Sequence, residues 1–211
     1  MSYAVKEMHY TIQGEGRQAG RAAVFCRFAG CNLWSGREAD RPQAACRFCD
    51  TDFVGTDGAR GGRFESAVEL AAAIEVLWPG AEREERYVVL TGGEPLLQVD
   101  GPLVEALHER GFRVAVETNG TIEPPPGIDW ICVSPKAGQR LELRFGDELK
   151  LVYPQQGIDP EEMLALDFAN FCLQPMDGPD RERNTRAAIA YALAHPRWRI
   201  SLQVHKWAGI P

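Results

Sequence analysis

Short apolar runs rich in β-branched residues alternate along this chain with longer segments of helical periodicity. That alternation is typical of strand-helix-strand units, which pack around a parallel sheet. Runs with the composition of strands lie at residues 22–30, 87–90, 112–117, 130–133, 148–152 and 170–173. The pattern therefore predicts an α/β fold built on a mostly parallel sheet.

Helix boundaries are marked in the segments between and after these runs. Ser66, with Glu69 three residues later, forms a capping box that predicts the start of a helix. A second helical pattern ends at Gly111, and a third covers residues 184–195 and stops before a proline. Apolar residues alternate with polar ones over 200–204, which predicts a further half-buried strand near the C-terminus.

Composition limits the size of the fold and the class of partner. With 211 residues and 45% hydrophobic content the chain can bury one good core, so we expect a single domain over residues 1–211. The formal charge of -7 argues against a nucleic-acid partner, because phosphate-binding surfaces need an excess of Lys and Arg. No signal-peptide pattern or membrane-spanning apolar run is present. We expect a cytoplasmic protein that acts on a small molecule and does not bind a membrane.

Polar and glycine-rich segments follow four of the predicted strands. They are TGGE at 91–94, TNG at 118–120, SPK at 134–136 and QPMD at 174–177. Any single loop is polar in most proteins, so one such segment would carry little information. In parallel α/β barrels, however, sites are built at the carboxyl ends of the strands. Four segments together therefore favour one shared site at that end.

Three cysteines, Cys31, Cys46 and Cys49, lie close together with the spacing C-x14-C-x2-C. A reducing cytosol disfavours disulfides, so the group indicates metal binding or catalysis. Three thiolates suit a metal centre with one open position, whereas structural zinc takes four ligands. Cys26 could complete a zinc set, although alternation places it on the core face of its strand. Cys132 and Cys172 lie in apolar runs and are interpreted as core packing.

The cysteines and the glycines after the next strand together resemble the radical S-adenosylmethionine superfamily. The shared features are C-x2-C with Phe48 before its last cysteine, and GGEP at 92–95. The superfamily usually has C-x3-C-x2-C, so residues 32–45 are expected to be an insertion in the cluster loop. The resemblance implies that Cys31, Cys46 and Cys49 hold a 4Fe-4S cluster, from which S-adenosylmethionine yields a 5′-deoxyadenosyl radical. By the same resemblance the S-adenosylmethionine contacts are Phe48, Asp50, Gly93, Glu94, Ser134, Lys136 and Gln174.

Further motifs over nearly the whole chain resemble the 7-carboxy-7-deazaguanine synthase family. They are QGEG at 13–16, CRFCDTDF at 46–53, TGGEP, ETNG, SPK and QPMD. The resemblance implies a partial, reduced six-stranded parallel (β/α) barrel of the radical SAM type, open on one side. It also implies conversion of 6-carboxy-5,6,7,8-tetrahydropterin to 7-carboxy-7-deazaguanine with loss of ammonia, in queuosine and other 7-deazapurine biosynthesis. The resemblance further implies that the protein uses magnesium, accepts electrons from a donor such as flavodoxin and forms a homodimer.

The residues near the N-terminus match the groups on such a substrate. Gln13, the Gly14 backbone and Glu15 can pair with an aminopyrimidinone edge, which presents adjacent donors and acceptors. Arg27 is placed for the substrate carboxylate. The resemblance assigns Thr51 as the magnesium ligand, since a hydroxyl suits a hard cation that keeps several waters. The remaining expected substrate contacts are Ile12, Thr91, His205 and Pro211.

Several alternatives stay open at this point. One is a radical activating enzyme that acts on a protein partner, and another is a non-enzymatic zinc module that uses Cys26 with the other three cysteines. Lys150 is interpreted either as facing the barrel interior or as blunting an exposed strand edge. No residue is predicted as a general acid or base, because the cluster and S-adenosylmethionine are expected to carry the chemistry.

Overall fold

One sheet of nine strands forms the frame of the molecule in a computed structural model that describes residues 2–211. The spatial order is β3-β1-β2-β4-β5-β6-β7-β8-β9. The strands are β1 (Tyr3–Ile12), β2 (Ala22–Phe28), β3 (Gly62–Phe64), β4 (Tyr87–Gly92), β5 (Arg113–Thr118), β6 (Trp130–Val133), β7 (Phe145–Tyr153), β8 (Asp167–Pro175) and β9 (Trp198–Ile200).

The predicted parallel core is confirmed. All six predicted strands are present as β2 and β4 to β8, and each is hydrogen-bonded in parallel to the next. β9 extends the parallel set, and β1 pairs antiparallel with both β2 and β3. In the described chain β3 and β9 are the two ends of the sheet, so it stays open rather than closing into a full barrel.

Helices cover the sheet unevenly. Their bounds are α1 (Ala67–Val76), α2 (Gly101–Glu109), α3 (Pro160–Met163), α4 (Arg181–Ala194) and α5 (Val204–Ala208). The predicted cap of α1 is confirmed, because Ser66 Oγ accepts from the Glu69 backbone N–H at 3.2 Å. Loops rather than helices connect β5 to β6 and β6 to β7. The fold therefore has fewer crossover helices than a complete set of βα units would give.

The two ends of the sheet differ from the sequence prediction. β1 was not predicted, and a register shift between Val5 and Glu7 explains why. The shift breaks the period-2 alternation that marks a strand, because a bulge adds one residue to one side of the pair. The strand predicted over 200–204 is wrong, since β9 ends at Ile200 and α5 begins at Val204. The Val204 N–H donates to the Gly14 carbonyl at 3.0 Å, so a tertiary contact overrides the local alternation.

The hydrophobic core lies between the sheet and its helices. Leu70 and Ile74 of α1 and Leu103 and Leu107 of α2 are fully buried in it. Cys26 belongs to the same core with no exposed surface, as its alternation predicts. No helix within residues 2–211 has both the length and the apolar character to cross a membrane.

Candidate active site

A cavity of about 370 Å³ opens at the carboxyl ends of the parallel strands. Its walls come from β1, β2 and β4 to β8, from the cysteine-bearing segment and from the chain around α5. Every residue that the sequence analysis places in the site lines this cavity, except Glu94. The structure therefore brings the cysteines and the proposed substrate contacts into one space.

Glu94 differs from the other site residues because its side chain is wholly buried beside the cavity. Its carboxylate accepts from Thr118 Oγ1 and from the backbone N–H groups of Leu96 and Asn119, at 2.8 to 3.0 Å. Burial raises the pKa of Glu94, and these three donors oppose that rise. The side chain thus fixes the loop after β5, and any contact of Glu94 with a ligand would come from its backbone.

The segment 32–45 folds back on itself and brings the cysteines together. The Leu33 carbonyl accepts from the N–H groups of Ala45 and Cys46 at 3.0 and 3.2 Å, so Cys46 returns beside residue 33. Arg41 lies over the Trp34 ring, 4.0 Å from its centroid, and donates to the Cys49 carbonyl at 3.1 Å. The long spacing between the first two cysteines therefore does not separate them in space.

Three thiols at one cavity wall suit an iron-sulfur cluster. Burial raises the pKa of the Cys31 and Cys46 thiols. No three His, Cys, Asp or Glu side chains within residues 2–211 are grouped closely enough to hold a single metal ion. A 4Fe-4S cluster does not need such convergence, because each cysteine binds a different iron. The donor set fits the cluster, and the zinc module is contradicted, since Cys26 is buried in the core away from the cavity.

Lys136 is a partly buried cation that lines the same cavity as the three cysteines. Its Nζ donates to the carbonyl and to the Oγ of Ser134 at 2.6 and 2.7 Å, and it lies 5.9 Å from the centroid of the Phe48 ring. Burial lowers the pKa of Lys136, and the nearby Cys46 and Cys49 sulfurs oppose that shift. The SPK segment after β6 thus turns its lysine and serine toward the cluster side of the cavity.

A charged network forms the floor of the cavity. Lys150 of β7 donates to Glu15 Oε2 at 2.6 Å and to Glu117 Oε2 at 2.9 Å. Gln13 Nε2 donates to the other oxygen of Glu117 at 2.8 Å. Lys150 is only 4% exposed and lies between β6 and β8, so it faces the interior and does not blunt a sheet edge.

The network keeps its charges despite burial. Burial alone would raise the pKa of Glu15, but the charge of Lys150 and hydrogen bonds from Lys150 and Gln203 lower it below its ordinary value. Burial would likewise lower the pKa of Lys150, and the charges of Glu117 and Glu15 raise it well above its ordinary value. Glu15 and Lys150 are therefore ionised at neutral pH.

Arg27 is oriented by an ion pair. Its Nε donates to Glu7 Oε1 at 2.9 Å, across the β1–β2 ladder. None of the other hydrogen bonds described for residues 2–211 uses the two terminal nitrogens of Arg27. The planar guanidinium thus keeps a pair of donors for an anion in the cavity.

The C-terminal segment closes one side of the cavity. Gln203 bridges Glu15 and Asp50 at 3.0 and 3.2 Å, and Lys206 forms ion pairs with Asp50 and Asp177. His205 lies in the first turn of α5 against Gly14, where an added Cβ would come within 2.8 Å of the His205 backbone nitrogen. The site thus requires glycine at position 14 for this close approach.

Some residues were not assigned to the site from the sequence, although an interior position was one of the two interpretations of Lys150. Glu117, Lys150, Gln203 and Lys206 line the cavity and hold its charged groups. Glu117 ends the run before TNG, so its place at the carboxyl end of a strand was a usable signal. Cys132 and Cys172 are buried, as predicted, but neither belongs to the apolar core clusters, and Cys132 faces this polar interior.

Comparison with known proteins agrees with this geometry. Residues 41–141 match the Radical SAM superfamily. A 7-carboxy-7-deazaguanine synthase of Caulobacter vibrioides is 62% identical over 211 residues, which cover 100% of both chains. The chain belongs to the 7-carboxy-7-deazaguanine synthase family. A second member, from Bradyrhizobium diazoefficiens, is 66% identical over 210 residues and again covers 100% of both chains.

The fold of a solved family member is also similar. The crystal structure of QueE from Escherichia coli has a TM-score of 0.72 and 29% sequence identity, and the alignment covers 96% of this chain and 94% of that one. Membership in the radical SAM family implies a 4Fe-4S cluster and S-adenosylmethionine as cofactors, and the three thiols at the cavity fit that requirement.

Proposed function

We propose that this chain converts 6-carboxy-5,6,7,8-tetrahydropterin to 7-carboxy-7-deazaguanine with loss of ammonia. The observation that carries the proposal is the single cavity, which joins three cysteines to a set of groups complementary to a carboxylated pterin. When bound, the cluster and S-adenosylmethionine supply the radical that removes hydrogen from the substrate. The chain itself binds and orients the pterin, keeps water away and handles protons.

The aminopyrimidinone edge of the pterin is assigned to Gln13, Gly14 and Glu15. The Glu15 carboxylate is ionised and already accepts from Lys150 and Gln203, and each of its oxygens keeps a second lone pair. A ring N–H and an exocyclic amine can use those lone pairs. The network beneath Glu15 holds it in one orientation, so recognition requires little ordering when the substrate binds.

The substrate carboxylate is assigned to Arg27. Its two free terminal nitrogens match the two oxygens of a carboxylate, and the pair with Glu7 fixes the plane of the guanidinium. Ile12, Thr91, His205 and Pro211 line the same cavity and are assigned as further substrate contacts. On the cluster side, S-adenosylmethionine contacts are assigned to Phe48, Asp50, Ser134, Lys136 and Gln174, and to the backbone of Gly93 and Glu94.

Magnesium is assigned to Thr51. Thr51 lines the cavity, between Asp50 and Asp52 in the sequence. Mg²⁺ commonly takes one or two protein oxygens and completes its octahedron with waters and substrate oxygens. One hydroxyl in the cavity that Arg27 also lines is consistent with this mode of binding. The metal would hold the carboxylate while the ring contracts.

The quaternary and redox partners are proposed from family resemblance. We infer a homodimer and a flavodoxin-like electron donor on that basis. A single domain is supported by the continuous sheet, whose strands begin at Tyr3 and end at Ile200.

The test is an anaerobic assay of the iron-reconstituted protein with reductant, S-adenosylmethionine, magnesium and the pterin, followed by mass spectrometry. The expected result is 7-carboxy-7-deazaguanine over many turnovers without matching consumption of S-adenosylmethionine. Release of 5′-deoxyadenosine with the pterin unchanged would keep the radical chemistry and refute the substrate assignment.

A further inference from the structure

A second, much smaller cavity lies beneath the floor of the active-site cavity. Its volume is about 10 Å³. A single water needs roughly 10–15 Å³ and two to four polar partners, so this space is close to the size of one water. Five residues line both cavities and separate them: Gln13, Glu15, Glu117, Cys132 and Lys150.

Glu148 lines only the lower cavity and has an unusual environment. It is 2% exposed, and its Oε2 accepts from the Arg17 backbone N–H at 2.9 Å. Its Oε1 is buried and has no hydrogen-bond partner among residues 2–211. The thiol of Cys172 lies nearby, but a thiol is a weak donor. A buried carboxyl oxygen without a partner is costly, so its state needs an explanation.

The surrounding charges favour the protonated, neutral form of the Glu148 carboxyl group. Among residues 2–211, Lys150 is the cation whose charge acts on Glu148, and it already holds Glu15 and Glu117. A third ionised carboxylate would leave two uncompensated negative charges in a buried group. Burial raises the pKa of Glu148, the charge of Glu117 adds to that rise, and Lys150, the Arg17 N–H and the Cys172 thiol oppose it. The cluster is therefore balanced best when Glu148 is neutral.

We propose that Glu148 is a neutral carboxylic acid that exchanges its proton with Glu117 through one water in the lower cavity. Glu117 lines both cavities, so it can receive the proton below and present it to the substrate above. Glu148 does not line the substrate cavity. It acts through Glu117, so its role is to hold a proton in position rather than to contact the substrate.

The proposal deepens the proposed function and rests on it. Loss of ammonia breaks a carbon-nitrogen bond, and the nitrogen leaves as neutral NH3 only after it gains a proton. Formation of the aromatic five-membered ring releases a proton from carbon. Glu148 supplies the first proton through water and Glu117, and the second returns by the same path to restore the acid. No net proton or electron is consumed, so no further reactant is required.

The first experiment is infrared spectroscopy of the cluster-loaded full chain at neutral pH without substrate. The difference between wild type and Glu148→Gln isolates this group from the other buried carboxyl, Glu94. A carboxylic acid C=O band that shifts in heavy water and disappears in the variant supports the proposal. Absence of that band at pH 7 overturns it. This reading does not depend on turnover, so it stands even if the pterin is not the substrate.

The second experiment compares kinetics of Glu148→Gln, Glu148→Asp and the exposed control Glu105→Gln. The glutamine can still accept from the Arg17 N–H, so a purely structural anchor would leave activity unchanged. We expect kcat of Glu148→Gln to fall about 10- to 100-fold with an unchanged KM, at or below the usual contribution of proton-transfer groups. Glu148→Asp should recover part of the loss, and Glu105→Gln should match wild type. A kcat for Glu148→Gln within about twofold of wild type would overturn the proposal.

Discussion

Replacing Lys150 with methionine removes the one cation that holds two carboxylates at the cavity floor. Lys150 is almost fully buried, and its partners Glu15 and Glu117 have 14% and 22% of their side-chain surface exposed. Methionine fills a similar volume but leaves both carboxylates uncompensated. Removing one partner of a buried ion pair typically costs about 3–5 kcal/mol. The partial exposure of Glu117 places the expected loss in unfolding free energy near the lower end, about 3 kcal/mol.

The directions of the pKa shifts determine how the cost of Lys150→Met changes with pH. The pKa of Glu15 is lowered in the folded state, so its contribution is present above its ordinary pKa of 4.5 and is lost as pH falls through the lowered value. The pKa of Lys150 is raised, so its contribution is complete below its ordinary pKa of 10.5 and is lost only at higher pH. The network is therefore complete between these limits. The cost of Lys150→Met should be largest at pH 7 to 8 and should shrink as Glu15 becomes protonated in acid.

The assay is urea unfolding of the cluster-loaded proteins under anaerobic conditions at several pH values. Lys206→Met is the matched control, because Lys206 also pairs with two carboxylates but is 30% exposed. That surface substitution should cost about 1 kcal/mol or less. The reasoning fails if Lys150→Met costs no more than Lys206→Met, or if its cost does not shrink on acidification.

Substitutions at the cysteines, at Gly14 and at Ser66 have clear expected outcomes. Cys26→Ala should retain iron after reconstitution and lose only about 1 kcal/mol of packing, whereas iron analysis should find no cluster when alanine replaces Cys31, Cys46 or Cys49. Gly14→Ala should raise the KM for the pterin about tenfold or more, because the new Cβ displaces His205. Gly101→Ala is the control: no atom lies within 4 Å of its new Cβ, so KM should not change. Ser66→Ala should lower the free energy of unfolding by about 1 kcal/mol through loss of the α1 cap, and a loss below about 0.3 kcal/mol would contradict the role assigned to that hydrogen bond.

The parallel core could be predicted because its signals are local. A buried parallel strand is a short apolar run with branched residues, and each such run here lies between helices or turns. The strand at Trp130–Val133 is predicted with its observed bounds. β1 could not be found in the same way, because its bulge interrupts the alternation and Lys6 and Glu7 lie in its middle.

The location of the site could be predicted from the sequence, whereas its network of ion pairs and hydrogen bonds could not. Resemblance to the family assigned the cysteines and the QGEG segment to one site, and both line the same cavity. The charged floor could not be predicted, because Lys150 meets Glu15 and Glu117 only through the pairing of distant strands. The C-terminal contacts were missed for the same reason, since Val204 pairs with Gly14 across most of the chain.

The central claim is that the cofactor and the pterin share one cavity, and deuterium transfer tests it most directly. The substrate carries deuterium on the carbon that bears its carboxyl group, and S-adenosylmethionine is re-isolated after anaerobic turnover. Deuterium is expected in the recovered S-adenosylmethionine, because a hydrogen would pass between two molecules held side by side and then be returned. Turnover that leaves the recovered S-adenosylmethionine free of deuterium would contradict it.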